Sequence, residues 1–373
     1  MIKFVDLQKQ EAPILNEIKK ALFETVERRD FILGKALTDF EEHLAAFVGK
    51  RYAVGTGSGG AALIIALKAI GVKNGDEVIT QPNSHISTAY AALFLGARPV
   101  FVDVDSSTFQ MDPEKLKDAI TPHTRVILPV HMCGYAAPMQ EILEIANQHK
   151  IHVVEDTAHA LGSYYGNVRC GAFGAVSAFS FYPGKNLGCW GDGGAIATDD
   201  ETLAKEARLL RSYGDARKNY HSELGINSRL DTIHAAILDV KLKMLDQWND
   251  NRRTAASWYH RWFQELGVTR YVQLPPLEIP GQLPNFHLFV IRVPSAKRDA
   301  LYEYMNSNGI ECGIHYPLPI HLQQVMSPLG YNRGSFPVAE DLAQTVLSLP
   351  MYAGLAEEEC RLIAQTVLDF FAK

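Results

Sequence analysis

The sequence has few cysteines, no long apolar run and no excess of basic charge, and each absence excludes a class of protein. Its five cysteines are scattered among 373 residues, with no C-x-x-C pair. They predict reduced thiols, not a disulfide framework or a zinc site. No apolar run approaches the ~18 residues of a membrane span. Asp and Glu outnumber Lys and Arg by 42 to 36, for a formal net charge of −6, which argues against nucleic-acid binding.

What the sequence does contain is typical of a folded globular protein. Hydrophobic residues make up 47% and charged residues 21% of the chain, so global disorder is excluded. The first eight residues hold neither the apolar core nor the cleavage site of a secretory signal. Together with the reduced thiols, this predicts a cytoplasmic protein. The length predicts one large domain and a smaller lobe.

Apolar strands and helical patterns alternate through the first half of the chain. Strands are predicted at 77–80, 99–103, 125–130 and 151–156, and helices at 88–95, 113–120 and 139–149. This alternation indicates a mostly parallel sheet covered by helices. Two closely spaced strands at 175–181 and 194–198 follow, and then a long helical stretch whose apolar residues from Ile233 to Trp248 recur at helical spacing.

The C-terminal part is predicted to form a smaller α+β lobe. It contains a strand at 287–293, a helix at 297–308 and a last helix at 357–371. We therefore expect an N-terminal segment and a large α/β domain over 1–250, and a small α+β domain over 251–373.

Polar residues that can carry chemistry follow the predicted strands. Asp156 and Ser180 each close a strand, and Lys185 lies five residues further on in a glycine-containing loop. Such strand ends meet at one edge of a parallel sheet, where ligands bind. Taken alone, Asp156 is better explained as a cap of the next segment, and Lys185 as a solvated surface charge. A glycine-rich loop at 55–60 precedes another helical run, and the N–H groups of such a helix start bind phosphate.

One ligand would use all of these groups. Pyridoxal 5′-phosphate (PLP) needs an amine for covalent attachment, a carboxylate for its pyridinium nitrogen and a cradle for its phosphate. Lys185 offers the amine, Asp156 the carboxylate, and Ser180 with Gly59 and Gly60 the cradle. The glycine-rich loop lacks the Gly-Lys-Ser/Thr ending of a P-loop, and no strong strand leads into it as in a dinucleotide loop.

The sequence resembles the DegT/DnrJ/EryC1/StrS family of sugar aminotransferases, a branch of the fold type I PLP enzymes, over essentially its whole length. The motifs that carry the resemblance are FVDL (4–7), FILG (31–34), GARPVFVD (96–103), VEDTAH (154–159), FSFYPGKNLG (179–188), GDGG (191–194), GINSRLD (225–231), HYPLPIHLQ (315–323) and LSLP (347–350). The resemblance implies a mostly parallel seven-stranded sheet flanked by helices, PLP as cofactor and aminotransferase activity.

The resemblance also implies roles for individual residues. Lys185 is expected to bind PLP covalently, Asp156 to pair with its pyridinium nitrogen, and Ser180 with the glycine-rich loop to hold its phosphate. Asn227 is expected to reach that phosphate from a neighbouring subunit, which implies a homodimer with shared active sites. The other expected site residues lie beside the cofactor or the substrate: His85, His159, Arg229, His315, Tyr316 and His321.

The chain departs from the family pattern at several positions. His85 stands where an aromatic residue usually stacks on the cofactor, and it either stacks there or faces the substrate. His159 replaces a common Gln, and it either donates a hydrogen bond to the phenolic oxygen of PLP or packs at the strand end. Gly60 and Gly184 each replace a Thr. The Pro-Gly-Lys sequence that contains Gly184 is more similar to C-3 than to C-4 sugar aminotransferases. For Arg229, a structural salt bridge is an equal alternative.

The resemblance predicts transfer of an amino group from glutamate or glutamine to a keto-sugar on a nucleotide diphosphate, with a 3-keto sugar favoured. A keto-cyclitol aminotransferase of aminoglycoside assembly and a PLP-binding regulator without turnover are alternatives. A sugar dehydratase is disfavoured, since such relatives carry His in place of the lysine. We expect no metal, because His149 and His152 lack completing carboxylates, and no nucleic-acid or membrane partner.

Overall fold

The computed structural model describes residues 1–217 and 219–373. Its strands are β1 (Tyr52–Thr56), β2 (Glu77–Thr80), β3 (Arg98–Phe101), β4 (Thr124–Ile127), β5 (His152–Asp156), β6 (Tyr164–Tyr165), β7 (Val168–Arg169), β8 (Val176–Ser180), β9 (Gly194–Thr198), β10 (Asp215–Arg217), β11 (Tyr220–His221), β12 (Gln282–Leu283), β13 (Phe289–Arg292) and β14 (Val346–Leu349). Its α-helices are α1 (Leu7–Glu11), α2 (Leu15–Arg28), α3 (Lys35–Val48), α4 (Gly59–Ala69), α5 (Ser87–Phe94), α6 (Pro113–Ala119), α7 (Met139–His149), α8 (Glu201–Leu210), α9 (Thr232–Leu242), α10 (Leu245–Glu265), α11 (Ser295–Ser307), α12 (Pro337–Thr345) and α13 (Glu357–Phe371). Within these two ranges, no helix is long and apolar enough to cross a membrane.

Seven of these strands form the central sheet, in the order β1-β9-β8-β5-β4-β2-β3. Neighbouring strands are parallel from β8 to β3, whereas β9 runs antiparallel to both β1 and β8. Successive side chains of the inner strands enter two apolar cores, with Val78 and Val126 on one face and Ile79 and Ile127 on the other. Because both faces are buried under helices, these strands are apolar throughout. The predicted fold class is confirmed.

The chain differs from the sequence prediction at two elements. The long helical stretch is two helices, α9 and α10, which are separated at Lys243 and Met244. The expectation that no strand leads into the glycine-rich loop is wrong, because β1 does so and ends at Thr56. This strand is short and contains Gly55, which weakens its strand pattern in the sequence.

The C-terminal lobe is built on the antiparallel pair of β13 and β14, packed against α10, α11 and α13. Helix α10 crosses the expected boundary at residue 250: Trp248 packs in a core with α2 and α9, whereas Tyr259 packs in the core of the lobe. The first residues also join this lobe, because Ile2 forms a bridge with Ile310. The division into 1–250 and 251–373 stays a prediction.

Candidate active site

A cavity of about 800 Å³ lies at the carboxyl ends of β5 and β8. Its wall includes the start of α4, the loop after β8, and segments from the C-terminal lobe and the N-terminus. It brings together most of the site residues expected from the sequence: Gly59, Gly60, His85, Asp156, His159, Ser180, Lys185, His315 and Tyr316. They meet because parallel strands deliver their carboxyl ends to one sheet edge.

Lys185 presents its amine to this cavity. A turn just after β8 positions the residue, with the Lys185 N–H donating to the carbonyl of Tyr182 at 2.8 Å. Burial lowers the pKa of the amine to about 8, although the carboxylate of Asp156 raises it. An amine with this pKa is partly neutral around pH 8, and its neutral fraction has the lone pair that attack on a carbonyl group requires.

The carboxylate of Asp156 is buried at the end of β5, with 4% of the residue exposed. Its Oδ2 accepts a hydrogen bond from Thr88 Oγ1 at 2.9 Å, and its Oδ1 accepts one from the Ala158 N–H at 3.2 Å. No cationic side chain of 1–217 or 219–373 forms a salt bridge with it, and burial raises its pKa. The element after β5 is a short strand, so the carboxylate does not cap a helix. A buried carboxylate of this kind needs a cationic partner.

The start of α4 and the end of β8 form an anion cradle. A Cβ atom added to Gly59 would lie 2.6 Å from Ser180 Cβ, so this approach requires glycine. Ser58 caps the helix by accepting the N–H of Ala61. Among the described residues, the N–H groups of Gly59 and Gly60 have no acceptor. These groups and the Ser180 hydroxyl are the donors that a phosphate needs. The amine, the carboxylate and the cradle therefore fit PLP.

His159 is a neutral hydrogen-bond donor at this site. Its Nδ1 accepts the backbone N–H of Cys133 at 3.4 Å, so its proton lies on Nε2. Burial, together with the charge of Lys185, holds the pKa of His159 well below its usual range. The ring packs against the ring of His287, another residue of the cavity wall, with 4.5 Å between the centroids.

A second part of the wall is made of aromatic and imidazole rings. The rings of His85 and Tyr316 are 5.9 Å apart, and His315 stacks on Phe4 at 5.6 Å. Burial lowers the pKa of His315 to about 4, and its Nδ1 forms a hydrogen bond with Ser348 Oγ at 2.9 Å. These rings give the cavity a neutral, hydrogen-bonding surface beside the amine.

Asn227 and Arg229 lie outside this cavity, in an adjoining depression that shares Ser58 with it. The side chain of Asn227 is exposed. Within the described chain, Arg229 forms no salt bridge, so the structural ion pair considered for it is not found there. Both residues are therefore placed at the surface next to the phosphate cradle.

His321 is not at the site, and its expected role beside the substrate is corrected here. The residue is 2% exposed and does not line the cavity. Its Nε2 forms a hydrogen bond with Glu340 Oε1 at 3.1 Å, and its ring packs edge-on against Phe336 at 4.8 Å. Because α12 supplies this carboxylate, the histidine faces the C-terminal lobe.

Several residues of the site were not predicted from the sequence, and Phe4, Thr88 and His287 are three of them. Phe4 stands in the FVDL motif, which was a usable signal. Thr88 lies within a predicted helix, and His287 begins a predicted strand, so neither carried a local signal. The described residues contain no group of three or more His, Cys, Asp or Glu side chains that could hold a metal ion.

Comparisons with known proteins agree with this geometry. The DegT/DnrJ/EryC1/StrS aminotransferase family matches residues 13–368. A "pleiotropic regulatory protein" of Geobacillus stearothermophilus is 40% identical, over 99% of this chain and 98% of its own length. A UDP-N-acetyl-3-dehydro-α-D-glucosamine 3-aminotransferase of Acidithiobacillus ferrooxidans is also 40% identical, over 98% and 97% of the two chains.

Solved structures show the same fold. The crystal structure of DesV from Streptomyces venezuelae superposes with a TM-score of 0.95, at 38% identity, over 100% of this chain and 99% of its own. NtdA of Bacillus subtilis, solved with bound cofactor PMP, has a TM-score of 0.89 at 33% identity, over 99% and 83% of the two chains.

Proposed function

Because the chain belongs to the DegT/DnrJ/EryC1/StrS aminotransferase family, we propose that it aminates a keto-sugar carried by a nucleoside diphosphate. It is a PLP-dependent aminotransferase, as the members of this family are. The observation that carries the proposal is the meeting of a free amine and an unpaired buried carboxylate in one cavity, at Lys185 and Asp156.

PLP supplies a carbonyl group that takes up amines and a ring that accepts electrons. Asp156 would hold the pyridinium nitrogen protonated, and the cradle at Gly59, Gly60 and Ser180 would hold the phosphate. His159 would donate its Nε2–H to the phenolic oxygen. The position of each of these groups in the wall of one cavity supports these assignments.

Lys185 would carry the proton between donor, cofactor and acceptor sugar. A general base works best when its pKa lies near the working pH, so that part of it is neutral, and burial brings the pKa of the amine down to about 8. The neutral rings of His85, His315 and Tyr316 would exclude water from the amine and offer hydrogen bonds to sugar hydroxyls.

The position aminated is proposed to be C-3 of the sugar, with glutamate or glutamine as donor. Support comes from the names of similar proteins: the relative from A. ferrooxidans is a 3-aminotransferase of a UDP-linked sugar. A keto-cyclitol is the competing acceptor, because the same neutral rings would contact its hydroxyls.

Two copies of the chain are proposed to share their active sites, with Asn227 reaching the phosphate of the neighbour. The surface beside Asn227 supports this, because it exposes apolar side chains that a second copy would cover. Phe31, Ile32 and Leu33 are 43%, 49% and 46% exposed, and Ile226 is 40% exposed. Arg229 lies on the same face and would add a positive charge next to the cradle.

A panel of acceptors tests the proposal. The PLP-loaded chain is incubated with glutamate or glutamine and with nucleotide-linked 3-keto sugars, 4-keto sugars and a keto-cyclitol, and products are scored by mass. We expect amination of a 3-keto sugar and release of the donor's 2-oxo acid. Lys185→Ala, loaded in the same way, is the control without turnover. Amination of the cyclitol alone would replace the sugar proposal, and turnover of no acceptor would favour a regulator like the relative from G. stearothermophilus.

A further inference from the structure

A buried series of amide side chains ends on His287, a residue that the proposed reaction does not use. His287 lines the cavity and is 8% exposed. Its Nδ1 lies 3.0 Å from Oδ1 of Asn186, which follows Lys185 in the chain. Its ring lies against His159. These contacts connect Asn186, which is next to Lys185, to His159, the histidine proposed to face the phenolic oxygen of PLP.

Two backbone carbonyls fix the direction of the hydrogen bonds in this series. Nδ2 of Asn249 donates to the carbonyl of Leu161 at 3.2 Å, which leaves Oδ1 of Asn249 as an acceptor. Nδ2 of Asn186 donates to that Oδ1 at 2.8 Å and to the carbonyl of Asn285 at 3.4 Å. A carbonyl only accepts, so neither amide can be turned over without losing these bonds.

The tautomer of His287 follows from this direction. Oδ1 of Asn186 has no proton to give, so Nδ1 of His287 must carry one. Burial holds the pKa of His287 well below its usual range, so the ring is neutral and its Nε2 bears a lone pair. His159 is the opposite tautomer, because its Nδ1 accepts the N–H of Cys133. Two neutral imidazoles of opposite tautomer therefore pack together at the cavity wall.

We propose that Asn186 and His287 are positioning residues, which hold the neutral ring of His159 in the orientation that offers its Nε2–H to the phenolic oxygen of PLP. The inference rests on the proposed function, since it takes His159 as the donor to the cofactor. The physical reason is that the ring of His287 is held at Nδ1 and cannot rotate freely. A protonated His159 would place a second cation beside Lys185 in a buried wall, at a large desolvation cost.

The first test reads the tautomers directly in the full-length chain. Histidine labelled with ¹⁵N distinguishes a protonated from an unprotonated ring nitrogen by its chemical shift, and His159→Phe and His287→Phe assign the two signals. We expect the proton on Nδ1 of His287 and on Nε2 of His159. In Asn186→Ala, the His287 proton should move wholly or partly to Nε2. Asn249→Ala is the matched control, because Asn186 stays held by the carbonyl of Asn285.

The second test follows the visible absorption of the PLP-loaded chain against pH. A weaker donor leaves the phenolic oxygen more basic, so Asn186→Ala and His287→Phe should each raise the pKa of the bound chromophore, by about one pH unit. The double variant should show the same chromophore pKa as each single variant, since both substitutions break the same connection from Asn186 through His287 to His159. Asn249→Ala should titrate like the parent even where it melts earlier.

A wild-type His287 with its proton on Nε2 would overturn the inference. So would an Asn186→Ala protein whose tautomers and absorption titration match those of Asn249→Ala. The tautomer measurement needs neither substrate nor turnover, so a failure to find the sugar acceptor would reject the proposed function and leave this result intact.

Discussion

Replacing Asp156 by Asn separates a catalytic from a structural role for this carboxylate. The variant keeps an oxygen that accepts the Ala158 N–H, but it loses a buried charge that no described cation pairs with. Without PLP, that charge is unfavourable, because burial raises the pKa of Asp156 in the folded chain. Because the pKa is raised, ionised Asp156 destabilises the fold at pH values above the ordinary pKa of Asp. At pH values below that pKa it has no effect. At pH 7, the cofactor-free variant should therefore be no less stable than the parent.

With PLP bound, the effect has the opposite sign. A hydrogen bond between ionised partners contributes about 1.5–3 kcal/mol. Its loss in Asp156→Asn should weaken PLP binding roughly 10- to 150-fold. The ring nitrogen would also lose its proton, and the loss of one such electrostatic contact costs on the order of 10²-fold or more in rate.

Three measurements on one preparation check this reasoning: the melting temperature without cofactor, the dissociation constant of PLP, and the rate of amino transfer from the donor. The stability difference without cofactor should fade as the pH falls to about 4. Thr88→Val is the matched control, since it removes a donor to the same carboxylate but keeps the charge, and it should lose less PLP affinity. An Asp156→Asn protein that melts earlier but binds PLP and transfers amino groups like the parent would refute the catalytic role.

Three further predictions concern the amine, the cradle and the assembly. The rate of PLP capture by the cofactor-free chain should level off as the pH rises past about 8, because the neutral amine of Lys185 is the attacking form; stopped-flow absorbance measures it, and a rate still rising at pH 10 contradicts it. Gly59→Ala should weaken PLP binding about tenfold or more, since its Cβ would meet Ser180 at 2.6 Å, whereas Gly60→Ala, with ordinary contacts only, is the control. Mixing inactive Lys185→Ala chains with an inactive Asn227 variant should restore about half of the sites in each hybrid dimer; confirmed subunit exchange without recovery argues against shared sites.

The scaffold was predictable because its signals are local. Strand β2 and helix α7 begin and end at the predicted residues, since each is an apolar pattern bounded by turn or loop residues. The break between α9 and α10 was not predictable in this way. The apolar stripe continues through it, with Val240, Met244 and Trp248 at helical spacing and all packed in one small core.

The local sequence pattern predicted the site at residues that follow a strand or begin a helix, whereas His85, His315 and Tyr316 were expected only from the family resemblance. Lys185 and Asp156 each follow a strand, and the sheet topology brings them together. His287 had no such local signal: its partner Asn186 is 101 positions away in sequence, and the bond appears only when the lobe is packed on the sheet. His321 stands in the same short motif as His315, but Glu340 from α12 binds it and takes it out of the cavity.

Four buried ionisable groups of the cavity share one electrostatic property that explains the choice of ligand. Burial shifts each of them toward its neutral form: it lowers the pKa of Lys185, His159 and His315, and it raises that of Asp156. The charge of Lys185 favours the ionised form of Asp156, but desolvation outweighs it, and no described side chain forms a salt bridge with the carboxylate. PLP would supply a pyridinium cation for the carboxylate and a phosphate for the free N–H groups of α4. Its binding therefore relieves unfavourable burial at two places at once, and we expect the cofactor to raise the melting temperature by mass action as its concentration exceeds the dissociation constant.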